Sequence, residues 1–215
     1  MATLTKIDDD LYETQVDSPF PGLTTHAYLW RRSTGNVLFY SPAGDTEFDA
    51  IDELGGVKAQ YLSHLDEAGP NLARIAERFK RRLHAPAAEL EQIAQHGTVD
   101  MPVDAVRHVD ANDVEVLPTP GHSPGSTCYL VTGTGGVRYL FTGDTIFPAG
   151  DGTWSTFVVP GRGDAAAMRD SVKLLGTLAP DVVISSAFAG ESAIEAVDAA
   201  RWSEIVDQAL ASVKS

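Results

Sequence analysis

The sequence predicts an α/β protein with sheets in its interior and helices on its outside. Two successive rounds of strands followed by a helix run along the chain, which predicts two similar layers. The chain has 215 residues, 43% of them hydrophobic, so it is long enough to bury a core. No low-complexity linker and no repeat of short period divides it. We therefore expect residues 1–215 to form one domain.

The first round begins with two paired strands, 23–31 and 35–40, because β-branched and aromatic residues flank the Gly-containing turn between them. A short helix over 48–54 and a buried strand over 57–62 follow. Apolar residues then recur at helical spacing with charges on the opposite face, which predicts an amphipathic helix. The apolar residues are Leu72, Ile75, Ala76, Phe79 and Leu83.

The second round repeats this order of strands and helices. The residues 133–136, Gly-Thr-Gly-Gly, predict a hairpin turn between two of its strands. The predicted elements are a short helix over 89–95, strands near 103–109, 114–118, 127–132 and 137–142, a helix over 165–178, a strand over 182–185 and a final helical segment over 192–213.

The charge of the chain limits the classes of partner. Its formal net charge is −14, whereas a nucleic-acid binder normally recruits Lys and Arg to neutralise phosphates. Nucleic acid is therefore not an expected partner. No segment has the length of a membrane span, and no apolar run precedes the acidic residues of the N-terminus, which favours a cytoplasmic protein without a membrane partner. Cys128 is the only cysteine, and its neighbours predict a buried strand position.

Polar side chains follow the ends of three predicted strands. Loops at strand ends commonly carry chemistry, and imidazole with carboxylate suits zinc, iron or manganese. Each group also has a simpler interpretation, because a single histidine in a turn is more often a hydrogen-bonding residue, and Gly-Asp is a frequent turn pair. The candidates are His64, Asp66 and Glu67 after the first strand, His122 in the Pro- and Gly-rich loop 118–126, and Asp144 after Gly143.

Two of these segments are similar to the motifs of a known family. Residues 119–126, Thr-Pro-Gly-His-Ser-Pro-Gly-Ser, and 140–144, Leu-Phe-Thr-Gly-Asp, resemble the third and fourth motifs of the metallo-β-lactamase-fold superfamily. The resemblance extends to 27–30 and 37–44 near the start of the chain and to 162–178 near its end. It implies a four-layer αββα sandwich with a metal cleft at one edge of the two sheets.

The first motif of that family, His-x-His-x-Asp-His, is altered in the segment 61–70. In an ungapped register, His64 takes the first position and Asp66 replaces the second histidine. With two residues deleted, Asp66 and Glu67 instead align with the Asp-His pair, and this register explains more residues. The final Gly-His-Gly type of motif is also missing, since no histidine follows His122.

The resemblance leaves enough ligands for one metal. The site keeps His64, His122 and Asp144, with Asp66 added in the ungapped register, whereas a second site has carboxylates only. We therefore expect one divalent metal, zinc by preference and iron or manganese as alternatives; a chain that has lost its metal is a further alternative. Asp66 or Glu67 is expected to orient the attacking water or to carry its proton.

Two functions follow from these ligands. In the first, the protein is a single-metal hydrolase of a small ester, thioester or lactone. In the second, the metal has been lost, and the cleft binds a small molecule or serves regulation. The missing imidazoles favour the second function. The grouping of several carboxylates favours the first, because a cleft without a cation gains nothing from it: neighbouring carboxylates raise each other's pKa values. We expect the hydrolase.

Other residues have structural interpretations. Trp154 is either an apolar wall of the cleft or a core residue. His26 is expected to be a strand histidine with a backbone partner. His84, His96 and His108 lie outside the motifs and are expected to be structural or solvent-exposed.

Overall fold

Two large sheets, two small sheets and five helices make up the computed structural model, which describes residues 3–20 and 23–214. In chain order, the strands are β1 (Thr5–Lys6), β2 (Leu11–Glu13), β3 (Asp17–Phe20), β4 (Leu23–Thr25), β5 (Tyr28–Trp30), β6 (Val37–Phe39), β7 (Ala59–Tyr61), β8 (Arg82–Pro86), β9 (Met101–Val103), β10 (His108–Val109), β11 (Glu115–Pro118), β12 (Thr127–Thr132), β13 (Arg138–Gly143), β14 (Phe147–Pro148), β15 (Trp154–Ser155), β16 (Val182–Ser185), β17 (Ala187–Phe188) and β18 (Ile194–Ala196). The helices are α1 (Phe48–Glu53), α2 (Asn71–Phe79), α3 (Leu90–Ile93), α4 (Ala165–Leu175) and α5 (Ala199–Ser212).

The two large sheets each contain a parallel section. The first sheet has the order β1-β2-β5-β6-β7-β8-β9, and the second has the order β10-β11-β12-β13-β16-β18. The two small sheets are β14-β15 and β17-β4-β3. Strands β6, β7 and β8 run parallel, as do β13 and β16. The carboxyl ends of parallel neighbours lie at the same edge of a sheet, so the loops after β7, β13 and β16 are available to form a common site.

Aromatic side chains fill the space between the two sheets. Phe39 of β6 stacks on Phe141 of β13 with their ring centroids 3.9 Å apart, and both side chains are fully buried. Tyr129 donates its hydroxyl to the carbonyl of Leu62 at 2.6 Å. Each large apolar side chain buried in this way contributes about 1.5–3 kcal/mol to stability. The two sheets therefore share one core.

Helices cover the outer face of each sheet. On the first sheet, Leu72 of α2 and Ile93 of α3 pack in one buried cluster with Leu83 of β8. On the second sheet, Met168 of α4 and Trp202 of α5 pack in another cluster with residues of β11, β12, β13 and β16. The order of layers is helix, sheet, sheet, helix, which confirms the predicted αββα sandwich.

Several predicted elements differ in their limits. Leu83 lies in β8 and not in the amphipathic helix, because α2 ends at Lys80, whose φ of +54° is left-handed. The predicted strand 23–31 divides into β4 and β5, and the strand 103–109 divides into β9 and β10, each pair lying in two different sheets. The start of the predicted final helix forms β18; α5 begins after Asp198, whose carboxylate accepts the Arg201 N–H.

Two single residues belong to the core. Cys128 is fully buried in β12, as predicted, and burial raises the pKa of its thiol to about 11. Trp154 is 2% exposed and donates its indole N–H to Glu195 at 2.7 Å. It packs in the cluster under α4 and α5, so its interpretation as a core residue is the correct one.

Within the described ranges, no helix combines the length and the apolar character needed to cross a membrane. Residues 1, 2, 21, 22 and 215 lie outside these ranges. The assignment of residues 1–215 to one domain stays a prediction.

Candidate metal centre

His64 stands just after a parallel strand of the first sheet. β7 ends two residues before Ser63, and a short 3-10 turn, Leu65–Glu67, follows His64. Gly143 of the second sheet approaches this loop so closely that a Cβ there would lie 2.2 Å from Ser63 Oγ. Its φ of +53° is also one that glycine adopts without strain. Glycine at this position therefore lets the end of β13 lie directly against the His64 loop.

His122 lies in the irregular loop between β11 and β12. The loop closes on itself, since the Thr119 N–H donates to the Ser126 carbonyl at 2.8 Å. It is joined to the His64 loop by the Thr127 N–H, which donates to the Ser63 carbonyl at 2.9 Å. The two histidine rings are consequently close, with centroids 4.7 Å apart and nearly perpendicular planes.

A chain of hydrogen bonds behind His64 determines which ring nitrogen carries hydrogen. Ser63 donates its hydroxyl to the Glu67 carboxylate, and Ser63 Oγ lies 2.9 Å from His64 Nδ1. Because that hydroxyl hydrogen is directed to Glu67, the donor between the ring and Ser63 is His64 Nδ1–H. In the neutral imidazole, the lone pair is then on Nε2, where it is available to a metal.

His122 has the same tautomer for a similar reason. Its Nδ1 lies 2.8 Å from the carbonyl oxygen of Phe157. A carbonyl can only accept, so Nδ1 carries a hydrogen, and in the neutral imidazole the lone pair is then on Nε2. An Nδ1–H donated to a backbone carbonyl is the usual arrangement behind a histidine that binds metal through Nε2.

Both Nε2 atoms are buried and have no hydrogen-bond partner. Two carboxylate oxygens lie near each of them. Asp144 Oδ2 is 3.5 Å from His64 Nε2 and 3.8 Å from His122 Nε2, and Asp66 Oδ2 is 3.9 Å and 3.8 Å from the same atoms. We call these four atoms the ligand cluster. The ligand atoms of His64, Asp66 and His122 all lie within 4.8 Å of one another.

The donor set of the ligand cluster fits a divalent metal. A tetrahedral zinc site with ligand distances of about 2.0–2.2 Å has ligand–ligand edges of about 3.3–3.6 Å. The imidazole–carboxylate distances in the cluster, 3.5–3.9 Å, are only slightly longer. Two nitrogens and two oxygens suit zinc, iron and manganese. Leaving a buried polar atom unpaired costs about 1–3 kcal/mol, which a metal ion would offset.

Donors outside the ligand cluster bind the two aspartates, at both oxygens of Asp66 and at Oδ1 of Asp144. Arg162 Nη2 donates to Asp66 Oδ1 at 2.8 Å and to Asp66 Oδ2 at 2.9 Å. Ser186, directly after β16, donates its hydroxyl to Asp144 Oδ1. Both carboxylates are thereby oriented with Oδ2 toward the imidazoles.

The charges around the ligand cluster shift the pKa values of its members. Burial alone lowers the pKa of His64, but the carboxylates of Asp144, Glu67 and Asp66 outweigh it and raise the pKa to about 9. The imidazole of His122 and then the guanidinium of Arg162 hold the pKa of the Asp66 carboxyl well below its usual range. A metal ion that binds here displaces the proton of His64.

Asp66 and Glu67 lie on opposite sides of His64. Asp66 faces Nε2, whereas Glu67 contacts Ser63 and lies 3.4 Å from His64 Nδ1. Asp66 thus lies beside the Nε2 atom of His64, and Glu67 lies behind the ring. The catalytic roles assigned to these two carboxylates stay predictions.

The other histidines lie outside the ligand cluster. His26, between β4 and β5, has its Nδ1 2.8 Å from the Thr14 carbonyl, which is the backbone partner expected of it. His84 is buried and stacks on Tyr61, and His96 and His108 are exposed.

Sequence reasoning missed the residues that hold the ligand cluster in place. Ser186 lies in the segment where the final histidine motif is missing, and Ser63 lies next to His64, so position gives a weak signal for both. Arg162 is 96 residues from Asp66 in sequence. It begins the segment 162–178 that resembles the family, but nothing in that segment points to Asp66. Only the folded structure identifies it as the partner of Asp66.

A cavity of about 1350 Å³ opens over the ligand cluster. His64, Asp66, His122 and Asp144 all line it. The volume is sufficient for a small-molecule ligand, since such sites are commonly of about 300–1,000 Å³.

Curated relatives share part of this chain. A hydroxyacylglutathione hydrolase of Mesorhizobium japonicum is 36% identical over 108 residues, which cover 48% of this chain and 40% of the relative. A hydroxyacylglutathione hydrolase of Shewanella denitrificans is 30% identical over 127 residues, covering 58% of this chain and 44% of that protein. The matched segments thus span less than half the length of these relatives.

The fold and the family follow from two further comparisons. A metallo-beta-lactamase from Pontibacter korlensis superposes with a TM-score of 0.73 at 16% identity, covering 97% of this chain and 98% of that one, which shows a common fold. The model of the family described as the metallo-beta-lactamase superfamily matches residues 66–187. That match spans more than half of the chain, and the chain therefore belongs to the metallo-beta-lactamase superfamily.

Proposed function

We propose that this chain is a hydrolase that uses one divalent metal, held by His64, His122, Asp66 and Asp144. The observation that carries the proposal is the pair of buried Nε2 atoms without hydrogen-bond partners, each within 3.9 Å of two carboxylate oxygens. Zinc is the preferred ion, with iron or manganese as alternatives. A metal of this kind activates water and polarises the carbonyl group that the water attacks.

The chain's own residues position the ligands. Ser63 and Glu67 fix the His64 ring from behind, and the Phe157 carbonyl fixes the His122 ring. The imidazole of His122 and then the guanidinium of Arg162 hold the pKa of Asp66 well below its usual range, so this carboxylate stays ionised and is poorly suited to take up a proton. Proton transfer by Asp66 or Glu67 stays a prediction, which the pH–rate profiles of Asp66→Asn and Glu67→Gln check.

The substrate that we propose is a small ester, thioester or lactone. The name of the curated relatives, hydroxyacylglutathione hydrolase, supports the thioester among these. The cavity beside the ligand cluster supports a small-molecule substrate over a macromolecular one. A cytoplasmic location and the lack of a nucleic-acid or membrane partner stay predictions.

One contact favours a second candidate function, a binding or regulatory protein that has lost its metal. Arg162 already neutralises the Asp66 carboxylate, as in an ion pair that persists without a metal. No histidine follows His122 in the sequence to complete a second metal site. In this case the cavity binds its ligand without hydrolysing it.

Elemental analysis of protein purified without an affinity tag or chelator distinguishes the two functions. After loading with zinc, iron or manganese, we expect close to one tightly held ion per chain. We also expect hydrolysis of a member of an ester, thioester and lactone panel, lost on chelation and restored by the metal. An ion-free protein under every loading condition would contradict the hydrolase and support the binding protein.

A further inference from the structure

An exposed aromatic side chain stands beside one of the histidines of the ligand cluster. Phe157 is 51% exposed, lines the cavity and has its ring centroid 6.0 Å from that of His122. Among the side chains that the structure describes, which exclude those of residues 19–24, five other large apolar ones are exposed, and none of them lines this cavity. They are Ile7, Val16, Met101, Val106 and Val109. An apolar group bound against Phe157 would remove its ring from water, which is favourable.

The surface around Phe157 is apolar as well. Phe147, Val159 and Leu65 are half-buried residues that line the same cavity. Such side chains provide binding free energy for hydrocarbon but no hydrogen bonds to a polar substituent. This wall suits the acyl chain of a substrate whose carbonyl lies at the ligand cluster.

The charged groups of the cavity are unfavourable for an anionic ligand. Arg74 is the single Lys or Arg among the described residues that line the cavity, and it is ion-paired with Asp45 at 3.2 Å. Arg162, beside the ligand cluster, is bound to Asp66. Four carboxylates line the same cavity: Asp17, Asp66, Glu67 and Asp144.

A charge count gives the same result for the metal-loaded centre. The carboxylates of Asp66, Glu67 and Asp144 carry three negative charges, and a divalent metal with Arg162 carries three positive charges. No positive charge is left over for the carboxylates of a substrate. The net charge of the whole chain, −14, adds long-range repulsion of anions.

We infer that the cavity selects an uncharged ester or thioester with an apolar acyl group, which packs on Phe157. The inference rests on the proposed hydrolase function. In the reaction, a bond forms from the water oxygen to the acyl carbon, and the C–O or C–S bond breaks. One water proton goes to the leaving alcohol or thiol, and the acid loses the other to solvent. A glutathione thioester carries carboxylates that find no free cation here.

A binding experiment with a matched pair of probes tests the charge selection without any turnover. N-acetyl-S-hexylglutathione and its diamide share the same hexyl group and, because the amino group is acetylated in both, differ only in whether the two carboxyl groups are ionised acids or uncharged amides. Both are thioethers, so the protein cannot hydrolyse a thioester bond in them. We expect the diamide to bind at least tenfold more tightly by calorimetry, to the metal-free and to the zinc-loaded protein. Equal affinities, or tighter binding of the N-acetyl-S-hexylglutathione diacid, would overturn the inference.

The apolar subsite is tested by Phe157→Ala, which keeps the backbone carbonyl that accepts the His122 N–H. We expect the Kd of the diamide probe to rise about tenfold. Phe157→Leu should recover most of the affinity, which a merely structural role of the ring does not predict. Met101→Ala is the matched control, since Met101 is 43% exposed on β9 and outside the cavity. An unchanged Kd in a folded Phe157→Ala would remove the acyl subsite from the inference.

These outcomes separate the two proposals. If the probes bind as expected but no ester or thioester is hydrolysed with any metal, the hydrolase is wrong and the ligand class stands. If thioesters are hydrolysed but glutathione thioesters have a higher kcat/KM than thioesters of the same acyl group with uncharged N-acetylcysteamine, the ligand class is wrong and the hydrolase stands.

Discussion

His64 and His84 are both buried histidines beside carboxylates, one just after β7 and the other in the neighbouring parallel strand β8, yet their surroundings differ. His84 stacks on Tyr61 at 4.1 Å between ring centroids, and the nearer of the two carboxylates that act on it is that of Asp110, 3.8 Å from its Nδ1. Burial outweighs both carboxylates and lowers the pKa of His84 to about 4.

The surroundings of His64 reverse this balance. Three carboxylates face its ring, from Asp144, Glu67 and Asp66, and they raise its pKa to about 9 although it is more deeply buried. Its Nε2 has no hydrogen-bond partner. A buried histidine with a free ring nitrogen among several carboxylates is a ligand candidate, whereas a neutral histidine packed on an aromatic ring is a structural residue.

The largest expected effect is on the zinc affinity of the protein, which should depend on His64 and not on His84. His64→Ala and His122→Ala each remove a nitrogen of the ligand cluster, so we expect more than the 10- to 100-fold loss of affinity that is typical of residues behind a ligand. His84→Ala should leave zinc binding unchanged. Competition with a chromophoric chelator measures all three dissociation constants. Equal loss in the three variants, or loss in none, would reject the assignment of the ligand cluster.

The next effect concerns the positive charge of Arg162, which should weaken zinc binding at the ligand cluster. Arg162 places a positive charge next to the metal position, and in Arg162→Gln the side-chain amide keeps a donor for Asp66 without that charge. We expect zinc affinity to increase by about tenfold, because like charges repel. Arg162→Lys retains the charge and should bind zinc as the natural chain does. Weaker binding in Arg162→Gln would mean that Arg162 acts mainly by orienting Asp66.

Glu67 provides a carboxylate behind the His64 ring, and the next effect measures how much that carboxylate contributes to zinc binding. Its carboxylate accepts hydrogen bonds from the backbone and the hydroxyl of Ser63, behind the His64 ring. Glu67→Gln removes the charge that favours Nδ1–H, and we expect zinc affinity to fall by about tenfold. Glu77→Gln on the exposed face of α2 makes the same chemical change at a distance and serves as the control. Identical affinities in the two variants would show that Glu67 has no role in the metal centre.

The smallest expected effect concerns the stability of the fold around His84. The pKa of His84 is about 4 when folded and about 6.5 when unfolded. Between these values the unfolded chain binds more protons, so stability falls as the pH drops. From about pH 7 to about pH 5.5 we expect a loss of about 1 kcal/mol that His84→Phe does not show. Denaturant unfolding of both proteins at each pH measures the difference, and parallel pH curves would contradict it.

The sequence patterns located the ligand cluster better than the residues that support it. His122 and Asp144 lie in motifs with fixed Gly and Pro neighbours, which is a strong local signal. The choice between Asp66 and Glu67 depends on the 3-10 turn Leu65–Glu67, which sends neighbouring side chains to opposite sides of His64. No local pattern indicates that turn. The partnership of Arg162 with Asp66 is a contact between distant segments and has no local signal at all.

The predicted end of the amphipathic helix was wrong because the hydrophobic pattern does not show where the backbone leaves the helix. Leu83 continues the helical spacing of Phe79, so the hydrophobic period alone extends the helix. The chain leaves that helix at Lys80, a left-handed residue that is not the glycine usually found there. Trp154 had two interpretations because an apolar residue after a motif suits a cleft and a core equally, and only its burial decides.

The ligand cluster is shared between the two sheets, with His64 following a strand of the first and Asp144 following a strand of the second. A metal ion bound by both residues would act as a removable cross-link between the two halves of the sandwich. At a free metal concentration of about a hundred times its Kd, binding adds about 2.7 kcal/mol to the free energy of unfolding. Under the proposed function, the lifetime of the folded chain against proteolysis would then depend on the metal supply, and the atoms of the ligand cluster would also set how long the protein lasts.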